Sequence, residues 1–575
     1  MRRTARSKRA GLGDHMQQKA IVIGGGLAGM TVAKELLKGG MQVDLVESLD
    51  RLGGKAGADY CEDHQLYAEH GYHVFPAWYG NTRQIMRDLG TEDVLFDIDR
   101  AHSLVKGRFP EFHTVHEVSG VRNVLRNVFS KVMPWPDMFL GFYFVLDLAS
   151  ERFRRQGFLD RVSVNGLLRS RFYASEEIAR AHQREILQAQ SVPFYEISAM
   201  TMQTLIRYWS RYPSPLYSVL SRNLHEGLIG PFEQQLRDLG CTIHCGKSVA
   251  KLLTTHDRVS GLDFEDGSRL DATGANDIFV IATPPNVTSR FVDDGLITAE
   301  QMSASTETWS FANLSYLKTA PMAGLTLCLN RRVAHLPKEP VTLIDSPHYM
   351  ACVDISQQWD DLQTAPHRTV LSLIVSNFEP LKGLSHHKKL QVLIDELGEY
   401  IPVDHKDIEF AYLQENLHAP LFLNTVGSWR HRPCTRTRLA NLYITGDYCR
   451  TRVDLTTMEG VVTSGLETAK SILHDHKGSA TAKMVTIHPH KARPRVYFFV
   501  DEVRALTYRP ALSRGQSVAT SPLKPLRSHH EATCGDHWRR AGWDDGGKGT
   551  RQTRYRRGPP GSRQSPWRQS RGRFQ

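Results

Sequence analysis

The stretch KAIVIGGGLAGMTVAKELLKGGMQVDLVES, residues 19–48, constrains the fold more than any other part of the chain. An apolar run, KAIVIGG, leads into Gly24, Gly26 and Gly29. Helical spacing follows over 27–38, and a second apolar run closes on Glu47. The order strand, G-x-G-x-x-G, helix, strand, acid predicts a βαβ unit. Glycines permit the tight turn and the close backbone approach that let a pyrophosphate sit on the helix N-terminus, formed by Gly26, Leu27, Ala28 and Gly29. Glu47 then stands where it accepts hydrogen bonds from a ribose. For a glycine pattern alone a tight structural turn is the plainer alternative; the flanking elements and the acid favour a dinucleotide site.

Glu47 also opens a second motif, ESLDRLGGKAG, in which Arg51, Gly53 and Gly54 follow at E-x-x-x-R-x-G-G spacing and Lys55 comes next. Arg51 can neutralise phosphate and the glycine pair again admits backbone to the cofactor, which favours FAD over NAD. A turn with a surface arginine is the plain alternative. Three distant segments fit the same ligand. A strand beginning at Ser248 and Val249 brings backbone to the adenine end. Gly446 and Asp447 end the strand NLYITGDYC, where Asp447 can bind the ribityl or phosphate portion. Thr457, Met458, Glu459 and Gly460 open a helix whose positive end suits the flavin ring, on which reduction deposits negative charge. A pyridine-nucleotide disulfide reductase is disfavoured, for the chain has neither a second G-x-G-x-x-G nor C-x-x-x-x-C.

A length of 575 residues predicts two or three interleaved domains. The formal charge of +11 belongs to the ends: thirteen Lys and Arg against four acids in 521–575, and five against one in 1–18. The remaining body is slightly acidic, so no nucleic-acid partner is called for. Eight scattered cysteines without C-x-x-C point to a reduced compartment rather than a disulfide framework, and no metal site is expected. The run MFLGFYFVLDLA, 138–149, contains Asp147 and is too short to span a bilayer. It reads either as a membrane-facing entrance or as a buried core helix. The leader before Lys19 is poor in acids but not amphipathic, and an upstream start without structural consequence is the expectation. The Arg-, Gly- and Pro-rich end is expected to be disordered.

The fold expected is α/β, with a Rossmann-type FAD-binding domain built from discontinuous segments (19–105, 225–295 and 425–476). A helical substrate or membrane-facing region (106–224) and a substrate domain (296–424) are interleaved with it, flanked by the basic extension 1–18 and the C-terminal extension 477–575. The substretch 241–272, starting CTIHCGKSV, alternates polar and apolar residues and reads as a β-meander. DIFVIATPP reads as a strand buried in a parallel sheet.

Taken together, GGGLAG, ESLDRLGGK, AEHGYHVFPAWYGN, DIFVIATPP, ITGDYC and TTMEGVVTSG resemble the FAD-dependent amine oxidase superfamily, and within it the phytoene and ζ-carotene desaturases, over residues 20–473. The segment 69–90, EHGYHVFPAWYGNTRQIMRDLG, is similar to the ETGLHIFFGAYPN region of those enzymes. The resemblance implies a flavin enzyme that removes hydrogens from a long isoprenoid, with hydride passing to flavin N5 and a quinone or oxygen as final acceptor. It carries over the glycines above, Glu47, Arg51, Asp447, Met458 and Glu459 as FAD contacts, with Gly71 in the segment near the ring. Glu69, His70 and His73 are the polar candidates for proton handling there, a structural hydrogen-bonding role being the plainer one for the histidines. Tyr72 and Pro76 depart from the family pattern, and the stretch between Tyr448 and Met458 is one residue longer. These three departures bear on the substrate side. A cytoplasmic protein attached peripherally to the inner face of the membrane is expected. A flavin amine oxidase, a squalene-pathway enzyme such as hydroxysqualene dehydroxylase, and a non-enzymatic flavin-binding protein are the rival readings. The SGGCYT-like cysteine of covalent flavin attachment is absent, Cys449 lying in another motif.

Overall fold

The computed structural model describes residues 18–489 except 118–120, 130–133, 151–155, 172, 177, 180–191, 193–194, 213, 275, 292–309 and 365–366. The expectations for the leader 1–17 and for the tail from 490 onward lie outside the described residues.

The opening βαβ unit forms as its sequence pattern requires, with the strand Lys19–Ile23, the helix Leu27–Lys38 and the strand Gln42–Val46. Lys19–Ile23 is the middle strand of a five-stranded parallel sheet, ordered Leu442–Ile444, Ile278–Ile281, Lys19–Ile23, Gln42–Val46, Thr242–His244. Ala20 and Val22 point into a core built with the helices Leu27–Lys38 and Met458–Lys477, while Ile21 and Ile23 point into one built with a three-stranded meander. Burial on both faces is why KAIVI and IFVI are continuous apolar runs rather than alternating ones.

That meander comprises Val249–Thr255, Arg258–Phe264 and Arg269–Asp271. The structure corrects its start. Thr242–His244, read from the sequence as the meander's first strand, is the outer strand of the parallel sheet, paired with Asp44, Leu45 and Val46. The short TIH run carries too little alternation to declare which sheet it joins.

A second, seven-stranded sheet runs in the order Ile408–Glu415, Ala323–Leu329, Thr369–Val375, Met350–Asp354, Val341–Leu343, Arg100–Leu104, Phe112–His116. The strand Arg100–Leu104 therefore lies in this sheet, although the sequence reading ended the first nucleotide-binding segment at 105. One face packs under the helix His386–Gly398, with Leu325, Leu327, Leu371 and Leu373 against Leu393 and Leu397. The opposite face, carrying Gly324, Ile374, Tyr412 and Gln414, meets the nucleotide-binding part of the chain.

The helix that carries MFLGFYFVLDLA buries one face and exposes the other. In the helix Trp135–Ser150, Phe144 and Leu148 are buried while Trp135, Phe139, Phe142 and Tyr143 are exposed. Asp147 is buried on the inner face, where it accepts a hydrogen bond of 2.7 Å from the Tyr173 hydroxyl and pairs with Arg171 at 2.9 Å. A carboxylate inside this apolar face is tolerated because it is paired. Among the described residues no helix is long and apolar enough to cross a membrane.

Candidate functional site

The three glycines of the first motif do different work. Gly24, at φ +108°, turns the chain out of the central strand and donates its N–H to the Val46 carbonyl at 2.7 Å. At Gly29 a side-chain carbon would stand 1.9 Å from the Gly24 carbonyl oxygen, so the helix packs on its own entry turn only because that carbon is missing. Gly26 is under no such pressure: a carbon there would come no nearer than 3.9 Å to Gly54 Cα. Gly26 is the N-cap of the helix and has no capping side chain, so the first-turn amides of Leu27, Ala28 and Gly29 face a floor made of backbone.

The second motif supplies the other wall. Gly26 and Gly53 form a parallel bridge, and the Gly53 N–H donates to the Gly25 carbonyl at 2.9 Å. Gly53 and Gly54 both have positive φ and Lys55 follows in a single 3-10 turn. Glu47 is buried. Its Oε2 accepts from the Gly25 N–H at 2.7 Å and its Oε1 from the Leu49 N–H at 2.9 Å and the Ser48 hydroxyl at 3.0 Å. The carboxylate thus locks the two loops together while keeping lone pairs for a ribose. Lys247 donates its N–H to the Glu47 carbonyl at 2.9 Å, which brings Val249 beside that turn.

Arg51 is aimed by a chain of contacts that its motif does not disclose. Its Nε donates to Asp59 Oδ1 at 2.7 Å and Nη2 reaches the same oxygen. Asp59 Oδ2 in turn accepts from Tyr412 at 3.0 Å and Gln414 at 2.6 Å, both on the edge strand of the seven-stranded sheet. Arg51 Nη1 is buried with no hydrogen-bond partner. A buried guanidinium N–H beside a floor of glycine backbone and an uncapped helix end fits a pyrophosphate, so the residues present fit the dinucleotide expected from the sequence.

The C-terminal segments close the same region. Asp447, at the end of the strand Leu442–Ile444, accepts from Lys55 Nζ at 2.8 Å. The Gly446 N–H donates to Ser464 Oγ at 3.0 Å. Thr457 caps the helix Met458–Lys477, its hydroxyl accepting from the Gly460 N–H at 3.2 Å. Met458 is the first residue of that helix. The side chain of Glu459 takes a role the sequence reading did not assign. Its fully buried carboxylate accepts from Asn81 N–H and Nδ2, both at 2.9 Å, and from Thr82 N–H and Oγ1, both at 2.8 Å. It thereby caps the helix Gly80–Leu89 from a residue 378 positions away. Burial pushes its carboxyl above the ordinary carboxylate range, against the pull of those donors.

Glu69, His70, Gly71 and His73 lie where a two-stranded hairpin packs on the seven-stranded sheet. Glu69 ends a hairpin strand, Leu66–Glu69, and its buried carboxylate accepts from the Leu224 N–H at 2.5 Å and stands 3.6 Å from His73 Nδ1. His70 is held neutral: burial chiefly, then His73 and Arg51, push its imidazole down to about 4. Its Nδ1, like that of His73, is buried without a hydrogen-bond partner. Gly324 explains how the hairpin comes so close to the seven-stranded sheet. A side-chain carbon there would lie 2.2 Å from the His70 carbonyl carbon. Tyr72, one of the departures from the family pattern, packs against an apolar cluster of Leu66, Cys328, Val353, Ile355, Trp359 and Val370. Cys449 is buried, and desolvation pushes its thiol up to about 12, so it is an inert thiol.

Asp59, Tyr412, Gln414 and Gly324 were not found by motif. Gly324 alone leaves a signal, a glycine inside an otherwise apolar strand, which marks a close backbone approach.

Residues 27–473 match the family model described as flavin containing amine oxidoreductase. The chain is 23% identical to the 15-cis-phytoene desaturase of Synechococcus elongatus, over 79% of this chain and 96% of the relative. It is also 23% identical to a probable zeta-carotene desaturase of the same organism, over 79% and 98%. The desaturase of an Oncidium hybrid cultivar is 24% identical over 80% and 78%. Among solved structures, an oxidoreductase from Methanosarcina mazei aligns with a TM-score of 0.58 at 16% identity, over 78% of this chain and 99% of that one. Putrescine oxidase bound to putrescine aligns with a TM-score of 0.58 at 16% identity, over 80% and 99%. The fold is thus that of the amine oxidases. With its glycine cradle, the Arg51 guanidinium beside it and a family match over most of its length, this chain belongs to the flavin-containing amine oxidoreductases.

Proposed function

We propose that the protein is an FAD-dependent desaturase of a long, lipophilic isoprenoid of the phytoene or ζ-carotene type. The observation that carries this reading is the segment 69–73, in which a buried carboxylate and two imidazoles flank Tyr72, itself packed against an apolar cluster, where the hairpin meets the seven-stranded sheet. The desaturase relatives support the same substrate class, and so does the length of their matched region.

Bound FAD would supply the acceptor for the hydride, and a quinone or oxygen would reoxidise it. Gly24, Gly26, Gly29, Gly53 and Gly54 would admit its phosphates, Arg51 would offset their charge, and Glu47 would hold its ribose. The protein's remaining tasks are to orient the substrate, exclude water and take one proton. Neutral His70 and the His73–Glu69 pair have the acceptor nitrogens for that last task. Glu69, 3.6 Å from His73 Nδ1, would stabilise the imidazolium that forms.

A substrate soluble only in lipid requires a surface that reaches the bilayer. Two helices, Val121–Phe129 and Trp135–Ser150, expose Phe129, Trp135, Phe139 and Phe142, with Arg122 and Arg126 also exposed on the first. Aromatics beside arginines suit peripheral attachment to an anionic leaflet. Flotation with anionic vesicles should be lost in Phe139→Ser/Phe142→Ser. Binding that survives the double change would overturn this face.

The central test is expression in a phytoene-producing bacterium with analysis of the extracted pigments. Polyenes with a longer conjugated chromophore than that of the precursor are expected, either from phytoene or, in a parallel ζ-carotene-producing host, from ζ-carotene. Phytoene and ζ-carotene both unchanged in cells that contain flavin-loaded protein would overturn the substrate assignment and leave the flavin site standing.

A further inference from the structure

Arg432 lies outside every glycine motif, yet it is among the most deeply buried large side chains of the protein, at 2% exposure. Its guanidinium accounts for almost all of its donors on the two loops that close the candidate site. Nε donates to the Tyr448 carbonyl at 3.0 Å, and Nη2 donates to the Cys449 carbonyl at 2.6 Å and the Asp447 carbonyl at 3.3 Å. Nη1 pairs with the carboxylate of Asp454 and reaches Asn424 Oδ1 at 3.3 Å. The guanidinium carbon lies over the Phe422 and Trp429 rings, 5.3 Å from each ring centre.

Two consequences follow from this geometry. Three consecutive carbonyls, those of Asp447, Tyr448 and Cys449, turn toward one cation, which fixes the path of the loop whose Asp447 carboxylate pairs with Lys55. Asp454 has φ +51°, a conformation a non-glycine residue keeps only when it is held, and it stands three residues before the Thr457 cap. Asn424, on the same guanidinium, also donates to Thr456 Oγ1 at 3.2 Å. One planar fork therefore ties the Gly446–Asp447 loop to the approach of the helix that begins at Met458. A lysine would keep the charge but lacks the five fixed donors.

We infer that Arg432 is a positioning residue for the flavin: its guanidinium sets the mutual placement of the Asp447 loop and the Thr457–Met458 helix end, and through them the affinity and electronic environment of the bound ring. This rests on the FAD reading above.

The test uses full-length protein and FAD itself. Arg432→Lys retains the buried charge next to Asp454 and loses the fork. It should bind FAD about 10- to 100-fold more weakly, with a changed visible circular-dichroism band and a shifted flavin midpoint potential in the fraction that binds. Asp454→Asn leaves the fork on the three carbonyls. It should melt at lower temperature but hold FAD within about threefold of the parent. A soluble Arg432→Lys protein with parental FAD affinity, spectrum and potential would overturn the inference. So would a folded Asp454→Asn protein losing FAD by about tenfold or more relative to the parent, because general destabilisation of the loops would then account for the loss; this arm is read against the parent and stands even if Arg432→Lys does not fold. A parent protein that binds no FAD would instead refute the cofactor reading.

Discussion

Lys55 and Asp447, 392 positions apart, form a 2.8 Å charge-assisted hydrogen bond between the loop after the second glycine motif and the end of the strand Leu442–Ile444. Asp447 is nearly buried and Lys55 about a quarter exposed, so the pair joins the first and last nucleotide-binding segments at the edge of the cradle. Lys55→Met should weaken FAD binding by roughly tenfold, about 1.4 kcal/mol, while the apo protein loses little stability. Titration of the apo protein followed by quenching of flavin fluorescence measures this, and an unchanged dissociation constant would remove Lys55 from the site.

The glycines of the first motif should separate folding from binding. Gly26 has ordinary φ and room for a methyl group, so Gly26→Ala should leave apo stability within about 1 kcal/mol of the parent and yet yield colourless protein. Gly29→Ala drives a carbon into the Gly24 carbonyl and should cost about 2–4 kcal/mol whether or not flavin is present. Urea unfolding and the 450 nm absorbance per chain, read together, check both. Equal stability losses at the two positions would contradict the assignment.

Glu459 should behave as a structural residue. Glu459→Ala leaves the Asn81 and Thr82 donors buried without their acceptor, and a loss of about 3–5 kcal/mol is expected, with Glu459→Gln intermediate. Urea unfolding of the apo protein is the appropriate measurement. A Glu459→Ala protein as stable as the parent, defective only in flavin binding, would show that the carboxylate serves the cofactor instead.

Acid should weaken the fold through His70. Unfolded, this imidazole titrates near 6.5; folded, burial and then His73 and Arg51 hold it near 4. Between those values the unfolded chain binds the extra proton, so the stability His70 permits is fully present above about pH 6.5 and falls as pH drops toward 4. The separation corresponds to at most about 3 kcal/mol. Melting temperature against pH over that window should fall less steeply for His70→Gln than for the parent. Parallel curves would mean that His70 is not held neutral.

The local chemistry of the sequence was enough for the first βαβ unit, whose helix runs over the predicted residues 27–38, and for the strand Ile278–Ile281. Apolar periodicity and glycine spacing act over a few residues, and they reveal themselves in a single stretch. The side of the helix Trp135–Ser150 that is buried could not be read in this way, since Phe142 and Phe144 are the same residue type and only the neighbours Tyr173 and Arg171 decide which face turns inward. Nor could the sheet that takes Thr242–His244, the helix that Glu459 caps, or the carbonyls that Arg432 gathers. These depend on which distant segments the folded chain brings within hydrogen-bond reach. The sequence by itself determined a nucleotide-binding βαβ unit and the order of the segments around it; the tertiary structure alone decided how Arg51 is aimed, through Asp59, by an edge strand whose Tyr412 and Gln414 lie 353 and 355 positions from that aspartate. The physical reason is that a side chain's direction is set by the donors and acceptors packed around it, and most of those are not its neighbours in the chain.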